Sequence, residues 1–260
     1  MKIVEYNSKA WDAEVESGEN QWTLPVSSEE IENARNGKWN IILTPNIFVP
    51  RDWFPEDLKG VDVLGLASGG GQQMPILAAA GANVSSFDNS AKQLEQDEFV
   101  AQRDNLQIKT EQGDAADLSR FADESFDLIW HPCSNCFMPD IEPVWNEASR
   151  VLRKGGVMLS GFHNGFLFIF DRLKDENEGK LEVKHSLPYS DLKDLTEEER
   201  KYYTDKNEPL EFGHTLDQQI GGQIKAGFAI TGFFEDYFSD EATALNKYCP
   251  TFIATKALKL

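Results

Sequence analysis

Apolar and polar positions change rhythm along this chain. From about Val61 to Leu159, short apolar runs alternate with stretches of helical spacing. VDVLGL (61–66) is a continuous apolar run between Lys59-Gly60 and a glycine cluster, which predicts a buried strand. GQQMPILAAAG then predicts a helix with Pro75 in its first turn, where a missing N–H does little harm. NVSSFD (83–88) predicts the second strand, and Ser90 is placed to cap a helix over SAKQLEQDEFVAQRD. LQIKTEQGD (106–114) and FDLIWH (126–131) predict the third and fourth strands. IEPVWNEASRVL is spaced as a helix, Lys154-Gly155-Gly156 is expected to stop it, and GVMLSGF predicts the fifth strand.

Strands alternating with helices at this spacing imply right-handed crossovers and a parallel sheet, a doubly wound α/β fold. The pattern breaks near the C-terminus. FAITGFFEDYF (228–238) and TFIATKAL (251–258) are strand-like with only a short connection, too short for a crossover helix. They should pair antiparallel, so the final strand is expected to run against an otherwise parallel sheet. Two flanks stand outside the alternation. Residues 1–59 carry Trp11, Trp22, Trp39 and Trp53 and read as an N-terminal cap segment before a domain over 60–260. Residues 163–214, dense in charge, read as a lid-like insertion in that domain.

Composition narrows the setting. The 260 residues are 40% hydrophobic and 27% charged, as in an ordinary globular protein. The first residues lack the basic and apolar blocks of a signal peptide, and no apolar run approaches the roughly 20 residues of a membrane span. Three cysteines are too few, and odd in number, for a disulfide framework, which fits a cytoplasmic location. A net charge of −19, with no Lys/Arg cluster, argues against nucleic acid as the main partner. Nothing here fixes the oligomeric state.

The candidate chemistry begins at LASGGGQQ (66–73), where the first strand meets its helix. Open α/β sheets bind ligands at this edge, and consecutive glycines let backbone approach a ligand. The next strand ends in Asp88, an acid placed to accept from both hydroxyls of a ribose. These features point to an adenosine-bearing cofactor, dinucleotide or S-adenosylmethionine. The run Gly65, then Gly69-Gly70-Gly71, does not fit G-x-G-x-x-G, and QGDAADL puts Asp114 where it could accept from the exocyclic amine of adenine.

Taken in order, VDVLGLASGGGQ, NVSSFDNSAKQLEQ, QGDAADL, ADESFDLIWH and ASRVLRKGGVMLSGF resemble the motifs of the class I S-adenosylmethionine-dependent methyltransferases, over about residues 60–162. The resemblance implies a Rossmann-like, seven-stranded, mostly parallel sheet with an antiparallel C-terminal strand. It also implies methyl transfer from S-adenosylmethionine by in-line displacement. By the same resemblance, Leu66, Ala67, Ser68, Gly69, Gly71, Asp88, Asn89, Gln93, Gly113, Asp114, Ala115, Ala116 and His131 line the cofactor. Two positions depart from the pattern: Gly65 stands where the family usually has an acid, and Ala67 where it has a glycine. Holding the methionine amino group would then fall to backbone around Leu66 and after the fourth strand.

HPCSNCF (131–137) follows that fourth strand. No upstream His-x-Glu accompanies its Pro-Cys-x-x-Cys, as a zinc deaminase would require, and four zinc ligands are not at hand, so no metal is expected. The segment reads as the lip of the pocket. His131 and His163, at the ends of the fourth and fifth strands, are the base candidates should the acceptor need to lose a proton. Trp22, Asn135 and His163 are the candidates for contacting the acceptor, and His214 reads as a helix-start residue. Acidity and the two covering flanks favour a small-molecule acceptor, its reacting atom open. Two alternatives stand beside this reading: a nicotinamide-dependent oxidoreductase, and an S-adenosylmethionine-binding protein without turnover.

Overall fold

The computed structural model describes residues 2–238 and 242–260. Its seven-stranded sheet is built from β1 (Asp62–Leu66), β2 (Asn83–Asp88), β3 (Ile108–Gln112), β4 (Phe126–His131), β5 (Leu152–His163), β8 (Phe228–Asp236) and β9 (Phe252–Lys259). A separate two-stranded pair joins β6 (Tyr189–Ser190) to β7 (Phe212–Gly213). The large sheet runs in the order β3-β2-β1-β4-β5-β9-β8. β1 to β5 pair in parallel, and β9 runs antiparallel to both its neighbours, β5 and β8, as the short connection required.

Crossover helices α3 (Gln73–Ala79), α4 (Ala91–Asp104) and α5 (Glu142–Val151) follow β1, β2 and β4. Ser90 caps α4 by accepting from the Gln93 amide. α5 ends at Val151, earlier than expected, because Leu152 is already extended and pairs with Phe126. Lys154-Gly155-Gly156 is therefore no turn between elements. It falls where the β4–β5 register shifts, between the Phe126–Leu152 and Leu128–Val157 pairs, as a bulge inside β5.

Side chains alternate across the sheet, and the buried residues divide accordingly. Val63, Leu128, Trp130 and Leu159 belong to one cluster; Leu64, Leu66, Ile129 and Met158 belong to another. α5 covers the second through Val144, Trp145, Ala148 and Val151. The first is closed by α3 and by residues from the opening segment: Ile31 and Ala34 of α2 (Ser28–Arg35), then Trp39, Ile41, Leu43, Val49, Trp53, Phe54 and Leu58. Phe54 stacks on Trp130 of β4 with ring centroids 5.9 Å apart. Residues of α2 and of 39–58 thus contribute to the core, while α1 (Ile3–Ser17) packs on α4.

The segment after β5 carries α6 (Arg172–Glu178), α7 (Asp191–Asp194) and α8 (Glu197–Thr204), and β7 is followed by α9 (Gly222–Lys225). Its small core joins Phe168, Tyr189, Leu195 and Tyr203 to Cys136. Among the described residues no helix is long and apolar enough to cross a membrane.

Phe54→Ala tests whether the opening segment is integral. It should lower the unfolding free energy by about 3–5 kcal/mol, read from a urea denaturation midpoint. A loss well under about 1 kcal/mol would mean the segment is detachable.

Candidate active site

One cavity of about 640 Å³ opens at the carboxyl edge of the sheet, a volume suited to a ligand pocket. Its wall begins with the loop after β1. There Ala67 adopts a left-handed backbone, φ +50°, the conformation for which a glycine is the ordinary choice. The loop keeps that shape at a cost of about 1 kcal/mol. Gly65 explains the missing acid: a Cβ there would lie 2.2 Å from Met74 Sδ and 2.4 Å from Ser68 Oγ. A side chain there would have to displace both, and Met74 and the Ser68 hydroxyl occupy the space instead.

Two buried carboxylates hold the loop. The Gly69 amide donates to Asp88 Oδ2 at 3.0 Å, and the Ser90 amide to Oδ1 at 2.9 Å. The Gly71 amide donates to Asp97 Oδ1 at 2.8 Å, and the Ser86 hydroxyl to Oδ2 at 2.6 Å. Burial raises both groups, Asp88 to about 6 and Asp97 to about 7, against the pull of these hydrogen bonds. Asp97 escaped the sequence reading, although a signal existed: it stands between Leu94 and Val100 on the apolar stripe of its helix.

Ala67, Ser68, Gly69, Asp88, Asn89, Gln93, Gly113, Asp114, Ala115 and Ala116 all line the cavity. Four residues expected to bind ligand do not line it: Leu66, Gly71, His131 and Asn135. Gly71 turns its amide to Asp97 and its carbonyl to the Val26 amide. His131 is fully buried, with Nδ1 2.8 Å from the Leu66 carbonyl and Nε2 2.7 Å from Asn135 Oδ1. The Asn135 amide nitrogen donates on to Gln219 at 2.7 Å. Both side chains are engaged inside this buried chain, and neither the expected base His131 nor the expected acceptor contact Asn135 lines the cavity. His214, expected at a helix start, instead bonds through Nε2 to the carbonyls of Asn135 and Met138.

Pro132, Cys133, Ser134 and Phe137 line the cavity, whereas Cys136 is buried in the small core behind them. Burial raises both thiols far above their ordinary range, and the Cys133 thiol donates to the Leu43 carbonyl at 3.3 Å. Neither behaves as a reactive sulfur. Among the described residues no group of three or more His, Cys, Asp or Glu could hold a metal ion.

His163 lies three strand spacings, roughly 14 Å, from the end of β2, so the cavity has two ends. Its Nδ1 is buried without a partner, and burial, helped by Arg172, lowers the ring to about 4. The imidazole stays neutral and is a weak proton acceptor. Phe252 packs 4.6 Å and Phe238 6.0 Å from it. Trp22 also lines the cavity, joined by residues the sequence did not single out: Trp11, Glu14, Glu208 and Glu211. Trp11 meets Phe137 edge-on at 5.1 Å. These acids sit in segments whose approach to the sheet no local pattern encodes.

Burying Asp97 makes stability depend on pH. The folded chain holds that proton up to about 7, well above the ordinary carboxylate range, so its contribution is present in acid and lost as pH rises through about 7. Asp97→Asn keeps an acceptor for Gly71 and removes the titration. The variant's melting temperature minus that of the parent should grow by at least about 2 °C from mildly acidic to mildly alkaline pH. A difference constant across that range would refute the assignment.

The methyltransferase-domain family matches residues 64–160. Over 258 residues, 99% of each chain, the sequence is 52% identical to an uncharacterized methyltransferase of Bacillus subtilis, YbaJ. An S-adenosylmethionine-dependent methyltransferase from Mesorhizobium loti has a similar fold: TM-score 0.63, 19% identity, covering 80% of this chain and 95% of that one. An S-adenosylmethionine-dependent methyltransferase from Methanosarcina mazei gives a TM-score of 0.58 at 18% identity, over 80% of this chain and 95% of that one.

Proposed function

The chain belongs to the class I S-adenosylmethionine-dependent methyltransferases, and from that premise we propose that its acceptor is a small molecule held in the same cavity as the donor. One observation carries the reading. A single cavity runs from Asp88 and Asp114 to His163, Phe238 and Phe252, with tryptophans and carboxylates of both flanking segments on its wall. A cavity of about 640 Å³ is of small-molecule size, and the net charge of −19 repels polyphosphate. The nicotinamide alternative has no support from the family match. Three free cysteines fit a reducing compartment.

The residues present suit the donor. A carboxylate has about four acceptor positions, and backbone amides use one on each oxygen of Asp88, leaving two for a pair of ribose hydroxyls. Ser68 Oγ and Gln93 Oε1 are buried at the wall with no partner, as groups awaiting a ligand are. Asp114 and the 113–116 backbone face the adenine end. Bound S-adenosylmethionine supplies a methyl carbon on a sulfonium with a thioether leaving group. The protein's part is to align the acceptor and exclude water, the task assigned here to Trp11, Trp22 and the 208–211 return.

Glu14 takes the part of the acid for which Gly65 leaves no room. It lies in the final turn of α1 and lines the cavity, and one oxygen accepts from Asn20 at 2.9 Å. It is the counter-charge for the methionine ammonium.

Calorimetric titration with S-adenosylmethionine should give binding that weakens at least tenfold in Asp88→Ala, about the worth of one charged hydrogen bond. Donor binding without methylation of any acceptor in a broad screen would leave only the non-catalytic reading, and no donor binding would remove both. Glu14→Gln should weaken S-adenosylmethionine roughly tenfold yet leave 5′-methylthioadenosine, which lacks the ammonium, unchanged. Equal effects on the two ligands would sink the role given to Glu14.

A further inference from the structure

Charge in the cavity is one-sided. Glu14, Asp88, Asp114, Asp140, Glu208 and Glu211 line it, and among the described residues no lysine or arginine does. The first three are accounted for by the donor. Glu208 and Glu211 lie between α8 and β7 and share the cation Arg172, whose guanidinium sits 4.3 Å over the Tyr203 ring, and Glu208 also meets Lys206 at 3.9 Å. Arg172 bonds Glu208 at 3.0 Å, Glu211 Oε2 at 3.3 Å and Glu176 at 2.6 Å. Three carboxylates against Arg172 and the more distant Lys206 still leave negative charge in a partly desolvated wall, and such charge calls for a cation or a proton. Arg172 engages only one oxygen of Glu211.

The same end of the cavity is aromatic, with Phe238 and Phe252 against His163 and against each other at 4.6 Å. Aromatic faces and a carboxylate together attract ammonium groups. A phosphorylated or carboxylated acceptor would meet like charge and no partner.

We propose that the acceptor is a small amine, bound as its ammonium ion, with Glu211 as counter-ion and proton acceptor. This rests on the reading of the cavity as a methyl-transfer site. An ammonium has no lone pair, so Glu211 first removes one proton. The amine nitrogen then forms the N–C bond while the S–C bond breaks and its electron pair returns to sulfur. The products are a methylated ammonium, a neutral thioether and a proton on Glu211 that passes to solvent.

Burial raises the Glu211 carboxyl to about 7, which makes it a better base than an ordinary carboxylate. The groups around it are Arg172 and Glu176 of α6, Asp191 of α7, Glu208 on its own segment, Tyr189 of β6, and Cys136 from the turn after β4. Arg172 alone among them is positive. As pH falls through about 7, Glu211 takes a proton and the ammonium loses its counter-ion, so binding weakens in acid.

The test titrates protein saturated with S-adenosylhomocysteine with three probes of one shape: phenethylamine, phenethyl alcohol and phenylacetate. The amine should bind at least about tenfold tighter than the alcohol, and phenylacetate weakest of all. The amine's advantage should vanish in Glu211→Gln and on acidification, while S-adenosylhomocysteine still binds the variant normally. Should the variant not fold, the acid series on the parent protein decides. Equal or reversed preference, no binding of any probe, or a preference that neither acid nor Glu211→Gln touches would overturn the proposal. Failure of S-adenosylhomocysteine itself to bind would instead overturn the methyl-transfer reading beneath it.

Discussion

The structure depends on how the loop after β1 is fastened. Four amides of the loop, those of Ala67, Gly69, Gly70 and Gly71, have partners outside it. The Leu66 carbonyl faces His131, the Ala67 amide donates to Phe87, Gly69 to Asp88, Gly70 to the Gln93 carbonyl, and Gly71 to Asp97. A segment rich in glycine has much conformational entropy to lose, and these bonds offset that loss. Because the partners come from β2, α4 and β4, the loop can form only once those elements have docked. It also explains why an alanine is tolerated in a left-handed conformation at 67: the surroundings leave it no other shape.

The same arrangement places two carboxylates, Asp88 and Asp97, in the least hydrated part of the site, each serving backbone amides. Asp88 lines the cavity and can turn its remaining acceptor capacity to a ligand, whereas Asp97 does not line it. They are alike in chemistry and differ in what they face. His131 and His163 make a similar contrast. The first is saturated within the His131–Asn135–Gln219 chain, and the second retains a bare nitrogen in an aromatic wall.

Much of this was legible in the sequence because it is local. The strands and crossover helices follow from apolar periodicity, and the donor end of the site follows from motifs at strand ends, where the fold always presents them. The β9 orientation was readable from the short connection before it. What escaped lies in contacts between distant segments. Glu14, Glu208 and Glu211 come to the cavity from elements whose docking depends on three-dimensional packing, and no spacing rule links residue 14 to residue 208. Asn135 and His131, expected at the site, stay off the cavity wall for a different reason. Position at or after a strand end does not tell which way a side chain turns, and here His131 turns to Leu66 and Asn135, and Asn135 to Gln219.

The placement of β9 bears on the order in which the molecule can be assembled. β8 meets the sheet only through β9, and β5 has β9 as its outer neighbour. As the chain emerges during synthesis, β5 must wait with a bare hydrogen-bonding edge until residues 252–259 appear, and β8 has nothing to join before then. An open edge is where strands of separate molecules meet. The acceptor wall is unfinished for the same interval, since Phe252 arrives with β9. A nascent chain can therefore fold the Asp88 end of the cavity early, but the cavity wall is complete only when the sheet closes.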